Sequence, residues 1–222
     1  MINTRLVHAS IFISGTILLV VLFFPRIDID FSTFFYNNVE GFSYRNNWLV
    51  RLCFIMIPAL TITLGIVTSL YLLYLLIKYK TFNNILRSGS LYIILSIAIG
   101  PGLLVNHIFK ENFGRARPAQ ITNFNGSKNF TKAFWISNEC EHNCSFSSGH
   151  AAMGYSFTCL AYICSPIFFT RIYSTALILG SLVGVSRILM GGHFLSDVLT
   201  SCFVILIINH LLYLCWQKLR SI

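Results

Sequence analysis

The residues of this chain whose types and spacing suit chemistry fall in three short stretches. The first is Lys110-Glu-Asn-Phe-Gly-Arg-Ala-Arg117-Pro118, and the second is Cys144-Ser-Phe-Ser-Ser148-Gly149-His150. The third holds Ser186-Arg187, then His193 and Asp197. Together they fit binding and cleavage of a phosphate monoester. Lys110, Arg117 and Arg187 can surround an anion, since guanidinium forks match phosphate oxygens and an ammonium acts as a compact charge. Ser148 and Gly149 stand where a helix begins, so free backbone N–H groups, the helix dipole and a hydroxyl can point at the same anion. Glycine there lets the backbone approach closely. His193 and Asp197 are spaced i, i+4, so the carboxylate can accept from one imidazole nitrogen and leave the other free to attack phosphorus. His150, from another helix end, is then placed to protonate the leaving oxygen and afterwards to activate water.

What must position these residues is a membrane bundle. Of 222 residues, 55% are hydrophobic and 10% charged, with a mean hydropathy of +0.71, which leaves too few polar groups to cover a soluble domain. A chain of 25.2 kDa has room for one integral-membrane domain over 1–222 and no separate catalytic domain, so chemistry falls to loops and helix ends. Six apolar runs are long enough to cross a bilayer: Leu6 to Phe24, Leu52 to Ile77, Leu91 to Phe109, Ala151 to Phe169, Ile172 to Met190 and Phe194 to Trp216. The expected fold is therefore all-α, a polytopic bundle of six transmembrane helices. The first run lacks a small-residue cleavage pattern and reads as an uncleaved anchor.

If the six runs alternate, Arg5, Lys78, Lys80, Arg87, Arg171, Lys218 and Arg220 share one face with no acidic residue among them, and that face is expected to be cytoplasmic. All seven acidic residues and the other basic residues fall on the opposite face, so part of that positive charge serves a purpose besides topology. Span parity alone brings the three polar stretches to this second face. The aromatic-rich stretch from Ile29 to Trp48 lies there too and reads as interfacial anchoring, with a seat for a lipid substrate as the alternative.

Taken singly, each polar residue has a plainer account. Basic residues at span ends snorkel to headgroups, a lone membrane histidine is commonly a helix-packing contact, and Ser-Gly is a frequent helix start. Those accounts must jointly explain an Arg, a His and an Asp within an otherwise apolar stretch from Ile172 to Trp216. A charged group costs about 2.5 to 3.5 kcal/mol at mid-helix on insertion scales, so coincidence is the weaker account.

These residues resemble the type 2 phosphatidic acid phosphatase superfamily, which also includes glucose-6-phosphatase and the vanadium haloperoxidases. Its signature of Lys-x6-Arg-Pro, Pro-Ser-Gly-His and Ser-Arg-x5-His-x3-Asp is matched by Lys110 to Arg117-Pro118, by Ser147-Ser148-Gly149-His150, and by Ser186-Arg187 to His193 and Asp197. Ser147 stands where the signature has Pro. The resemblance implies a metal-independent phosphatase without cofactor that passes through a phosphohistidine at His193. Asp197 would orient that histidine, His150 would serve as acid and base, and Lys110, Arg117, Ser148, Gly149 and Arg187 would hold the phosphoryl oxygens. The short length, long outer loop and Cys-x3-Cys before the Ser-Gly-His turn look like the bacterial lipid A phosphatases. That likeness implies removal of the 4′-phosphate of lipid A at the periplasmic face of the inner membrane. Phosphatidylglycerol phosphate and undecaprenyl pyrophosphate are the alternative substrates, and an inert anionic-lipid receptor or transporter is the alternative of another class.

The expected partner is a phospholipid or lipid A substrate, with no nucleic acid and no obligate protein partner. Cys140 and Cys144 suit a disulfide in an oxidising compartment, which would stiffen the turn that follows. A metal held by Cys140, His142 and Cys144 lacks a fourth ligand. Arg115 lies outside the matched positions and reads as a contact behind the phosphate ligands or to the headgroup. His8, His107 and His210 read as structural.

Overall fold

The computed structural model describes residues 2–79 and 82–221; Lys80, assigned above to the cytoplasmic face, lies outside them. The regular elements among the described residues are all helices, and the outer loops add two isolated bridges but no strand. Five helical stretches are long and apolar enough to cross a membrane. They are α1 (Thr4–Phe23), α3 (Trp48–Tyr79), the stretch Gly89–Asn112, α9 (Pro166–Leu189) and α10 (Leu195–Ser221). A short helix α2 (Arg26–Thr33) follows α1, and α4 (Phe82–Leu86) follows α3. Leucines, isoleucines and phenylalanines stand exposed along α1 and α3, as expected where the solvent is hydrocarbon. The chain is a multi-pass helical membrane protein.

The stretch Gly89–Asn112 is not uniform. Helix α5 (Gly89–Ile97) passes into a π-helical segment, Ala98–Phe109, and then into the single turn α6 (Lys110–Asn112). Pro101 lies in the π segment, where its missing N–H and its ring disfavour the ordinary i to i−4 ladder.

The expected fourth span, Ala151 to Phe169, is corrected by the structure. It is two short helices, α7 (Gly149–Ser156) and α8 (Cys159–Ile163), and Pro166 already opens α9. The break is chemically satisfied. Ser156 Oγ and Thr158 Oγ1 donate back to the carbonyls of Met153 and Tyr155, and Asn209 of α10 donates to Ser156 O and Thr158 Oγ1. The pair still runs from one end of the bundle to the other. Ser148 N donates to Asp197 O at the start of α10, while Ile163 packs beside Gly89 near Trp216, at the far end of α10.

Helix α7 is the centre of the bundle, packed by α3, α9, α10 and the π segment. Its Gly154 faces Gly180 of α9 so closely that a Cβ would sit 2.8 Å from the Gly180 Cα, the small-residue contact expected between membrane helices. The two ends of the bundle differ. One gathers Tyr92, Tyr162, Tyr213 and Trp216 in the main apolar core. At the other, Phe42, Ala116, Ile121, Phe124 and Phe194 form a second core that joins the outer loops to one another. Within the aromatic stretch, Phe42 is buried in that core and Tyr36 packs on it, whereas Phe34 and Trp48 are exposed.

Candidate active site

The loop-covered end holds all three polar stretches. His193 lies in the turn between α9 and α10 and is buried, and its Nδ1 is 2.7 Å from the carbonyl oxygen of Ser145. A carbonyl only accepts, so Nδ1 carries the proton and Nε2 keeps its lone pair. That Nε2 is buried and has no hydrogen-bond partner among the described residues. Asp197 Oδ2 stands 3.7 Å from Nδ1, beyond hydrogen-bond range. The direct acceptor is thus a backbone carbonyl rather than the carboxylate expected from the i, i+4 spacing. His193 precedes the first turn of α10, so the two side chains do not share a helical face. Burial, reinforced by the cations nearby, lowers the imidazole to about 3, which keeps it neutral.

Asp197 acts on His193 from behind. Its carboxylate accepts from Ser145 Oγ at 2.5 Å and from Phe194 N at 2.8 Å, so it fixes both segments that flank the imidazole. Arg115 Nη1 donates to its other oxygen at 2.5 Å. Arg115 is fully buried and reaches no headgroup. It also donates from Nη2 to Asp28 at 2.8 Å, and Asp28 in turn accepts from Ser196 N and Oγ. Its ring neighbours are Phe194, 4.3 Å from the guanidinium carbon, and Phe130.

In front of His193 lies a cavity of about 670 Å³ that His150, Lys110, Arg117 and Arg187 also line. The Cys140–Cys144 disulfide, with Cα atoms 5.6 Å apart, closes the loop that carries Asn143. Lys110 Nζ donates to Asn143 Oδ1 at 3.2 Å, and Arg117 Nη2 donates to Asn143 O at 2.7 Å, so this one residue holds two cations. Arg187 is buried, with its guanidinium carbon 4.7 Å from the ring centre of Phe54. His150 stacks on the same Phe54 at 4.4 Å. Arg187 Nε and Ser148 Oγ are buried without partners among the described residues, as is His193 Nε2. Ser148 begins α7 without a side-chain cap, so the first N–H groups of that helix have no capping side chain among the described residues.

Two glycines keep the space open. A Cβ on Gly149 would collide with Asn106 Oδ1 and stand 3.4 Å from Lys110 Nζ, and one on Gly192 would sit 2.5 Å from Arg187 Nη2. Uncapped N–H groups, a hydroxyl, three cations and an unprotonated imidazole nitrogen make a set of ligands for a tetrahedral anion with a nucleophile beside it.

Residues 89–221 match the PAP2 superfamily. The chain belongs to that superfamily. It is also 36% identical over 190 residues to a lipid A 4′-phosphatase of Francisella tularensis subsp. novicida, covering 80% of each chain. A lipid A 4′-phosphatase of Rhizobium etli is 33% identical over 192 residues, covering 79% of this chain and 73% of the relative. One of Rhizobium leguminosarum is likewise 33% identical over 192 residues, covering 79% of this chain and 81% of the relative. No solved structure matches the chain.

Several residues around this candidate site carry no signal in the sequence. Asp28 and Ser196 hold Arg115, Ser145 holds both His193 and Asp197, and Phe54 backs Arg187 and His150. Only the Cys-x3-Cys pattern pointed at the loop that carries Asn143. His107 lies away from the site, exposed and 3.3 Å from Glu111 on the next helical turn. His8 and His210 pack edge to face at 5.5 Å.

Proposed function

We propose that this PAP2 enzyme, a phosphoric monoester hydrolase, removes the 4′-phosphate of lipid A through a phosphohistidine on His193. The observation that carries the reading is the lone pair of His193 Nε2, buried and unpartnered among the described residues, in a cavity lined by Lys110, Arg117 and Arg187. In the first step Nε2 attacks phosphorus, the bond from phosphorus to the sugar oxygen breaks, and His150 gives that oxygen a proton. Burial and the cations Arg187, Lys110 and Arg117 lower His150 to about 3, and the bound phosphate's negative charge, which offsets those cations, is what lets it carry that proton. In the second, His150 takes a proton from water, the hydroxide attacks phosphorus, and the bond to Nε2 breaks to release inorganic phosphate. Positive charge builds on the His193 ring during the first step, and the buried carboxylate of Asp197 stabilises it. Lys110, Arg117 and Arg187, with the N-terminus of α7, hold the phosphoryl oxygens throughout.

The lipid A assignment rests on the relatives, because the site reads phosphate and not the rest of the lipid. The bacterial inner membrane and a periplasmic site are the matching placement. The basic residues Arg5, Lys78, Arg87, Arg171, Lys218 and Arg220 lie at the opposite end of the bundle from the cavity, in keeping with a cytoplasmic face there. Phosphate release by the purified protein from lipid A, phosphatidylglycerol phosphate and undecaprenyl pyrophosphate, measured side by side, tests the reading. Lipid A should be strongly preferred, and His193→Gln should lose more than about a thousandfold in rate. Equal turnover of all three lipids would sink the lipid A assignment. A His193→Gln protein as fast as its parent would sink the mechanism.

A further inference from the structure

The cavity in front of His193 carries more positive charge than one phosphate monoester uses. Such a group brings about 1.5 to 2 negative charges at neutral pH, which Lys110, Arg117 and Arg187 already match. Arg45 and Arg51 line the same cavity, and no carboxylate among the described residues does. Arg45 sits in the 3-10 turn Ser43–Asn46 and Arg51 in the first turns of α3, both exposed. Neither has an ion-pair partner among the described residues. Arg45 is close enough to be felt inside: burial lowers the Arg117 guanidinium, and repulsion from Arg45 adds to that.

A second cavity, of about 700 Å³, opens beside the first and shares Arg45, Asn46, Ala119 and Met190 with it. Asn38 and Asn125 add side-chain amides to its wall, Tyr36 an aromatic ring and Glu40 a carboxylate, a lining suited to sugar hydroxyls and ring faces, so the anion-binding part of the cleft is the first cavity, where Arg45 and Arg51 stand. The two cavities therefore form one cleft, with Arg45 where they meet.

We propose that this cleft seats a headgroup bearing a second anionic group besides the phosphate to be cleaved, and that Arg45 and Arg51 hold that second group. The inference rests on the phosphatase reading above and adds a specificity element to it. The same chemistry could meet an anionic headgroup of a neighbouring bilayer lipid, so the test must separate a group on the substrate from one on the surface. Because both arginines are exposed, the preference they confer should be modest and weakened by salt.

Equilibrium binding to the His193→Gln protein in neutral detergent micelles provides the test, with two probes. One is a glucosamine disaccharide lipid phosphorylated on both sugars. The other is the same lipid phosphorylated only at the position to be cleaved. The doubly phosphorylated lipid should bind about tenfold tighter, and Arg45→Gln with Arg51→Gln should bring that ratio close to one. A starting ratio near one, or a ratio that survives both substitutions, overturns the proposal. Equal loss of affinity for both lipids would assign the arginines to a part that the two lipids share, such as the phosphate to be cleaved, and overturn it as well. Binding needs no turnover, so failure of the unsubstituted protein to release phosphate would count against the proposed reaction and leave this result standing.

Discussion

At the scale of a single residue, His193 is held by opposing demands. A nucleophilic imidazole must be neutral, yet Asp197 lies 3.7 Å away and would favour the charged ring. Burial wins, and the imidazole is lowered to about 3. This has a consequence for stability, because the unfolded chain binds a proton near the ordinary histidine value of about 6.5 whereas the folded protein does not. The neutral ring costs the fold nothing above that value, and stability is lost as pH falls from there towards about 3. Relative to its value at pH 7, the stability of the parent should drop by about 2 kcal/mol more at pH 5 than that of His193→Gln, which has no proton to gain. Thermal unfolding of both proteins in detergent across this range checks it. Parallel curves would mean that the folded imidazole titrates normally.

At the scale of elements, the site is made where four pieces of chain end: the π segment, α7, α9 and α10. The disulfide loop is the fifth piece, and Asn143 is its working residue because it bonds Lys110 and Arg117 at once. In the proposed reaction both cations contact phosphate in the ground state and the transition state alike, so loosening them should weaken substrate binding more than the chemical step. Cys140→Ser, or reduction of the parent, should raise KM about five- to tenfold with a smaller change in kcat; an unchanged KM would show that the loop holds its shape without the bridge. Much of this site was legible in the sequence because charged residues are rare in an apolar chain and their spacing is informative. The acceptor for His193 was not, since the carbonyl of Ser145 leaves no trace in residue types. Nor was the break between α7 and α8. Its hydroxyl-rich linker reads as apolar-compatible, and the Asn209 amide that satisfies it lies 53 residues from Ser156. The role of Asp28 was equally invisible, because Arg115, its partner, is 87 residues away and α2 precedes every recognisable motif.

At the scale of the whole molecule, the buried charges tie the outer loops to the bundle. Asp28 comes from α2, Arg115 from the loop after α6, and Asp197 from α10, and the three side chains are 1% exposed or less. Two carboxylates around one guanidinium leave a net negative charge behind His193, which would match the positive charge that the proposed attack on phosphorus develops on the imidazole. Such a network is expensive to take out of water and costly to break, since removing one partner strands the others without solvent. Asp28→Ala would leave Arg115 Nη2 and Ser196 N without their acceptor, and Arg115→Ala would leave two carboxylates unpaired. Each substitution alone should destabilise the protein by about 3 to 5 kcal/mol. The double variant should lose about 1 to 3 kcal/mol less than the sum, because the second removal eliminates a group that the first had already stranded. Unfolding of the four proteins in detergent closes the cycle. Strictly additive losses would show that α2 and the bundle are stabilised independently, and that the outer loops do not lock the carboxylate behind the nucleophile.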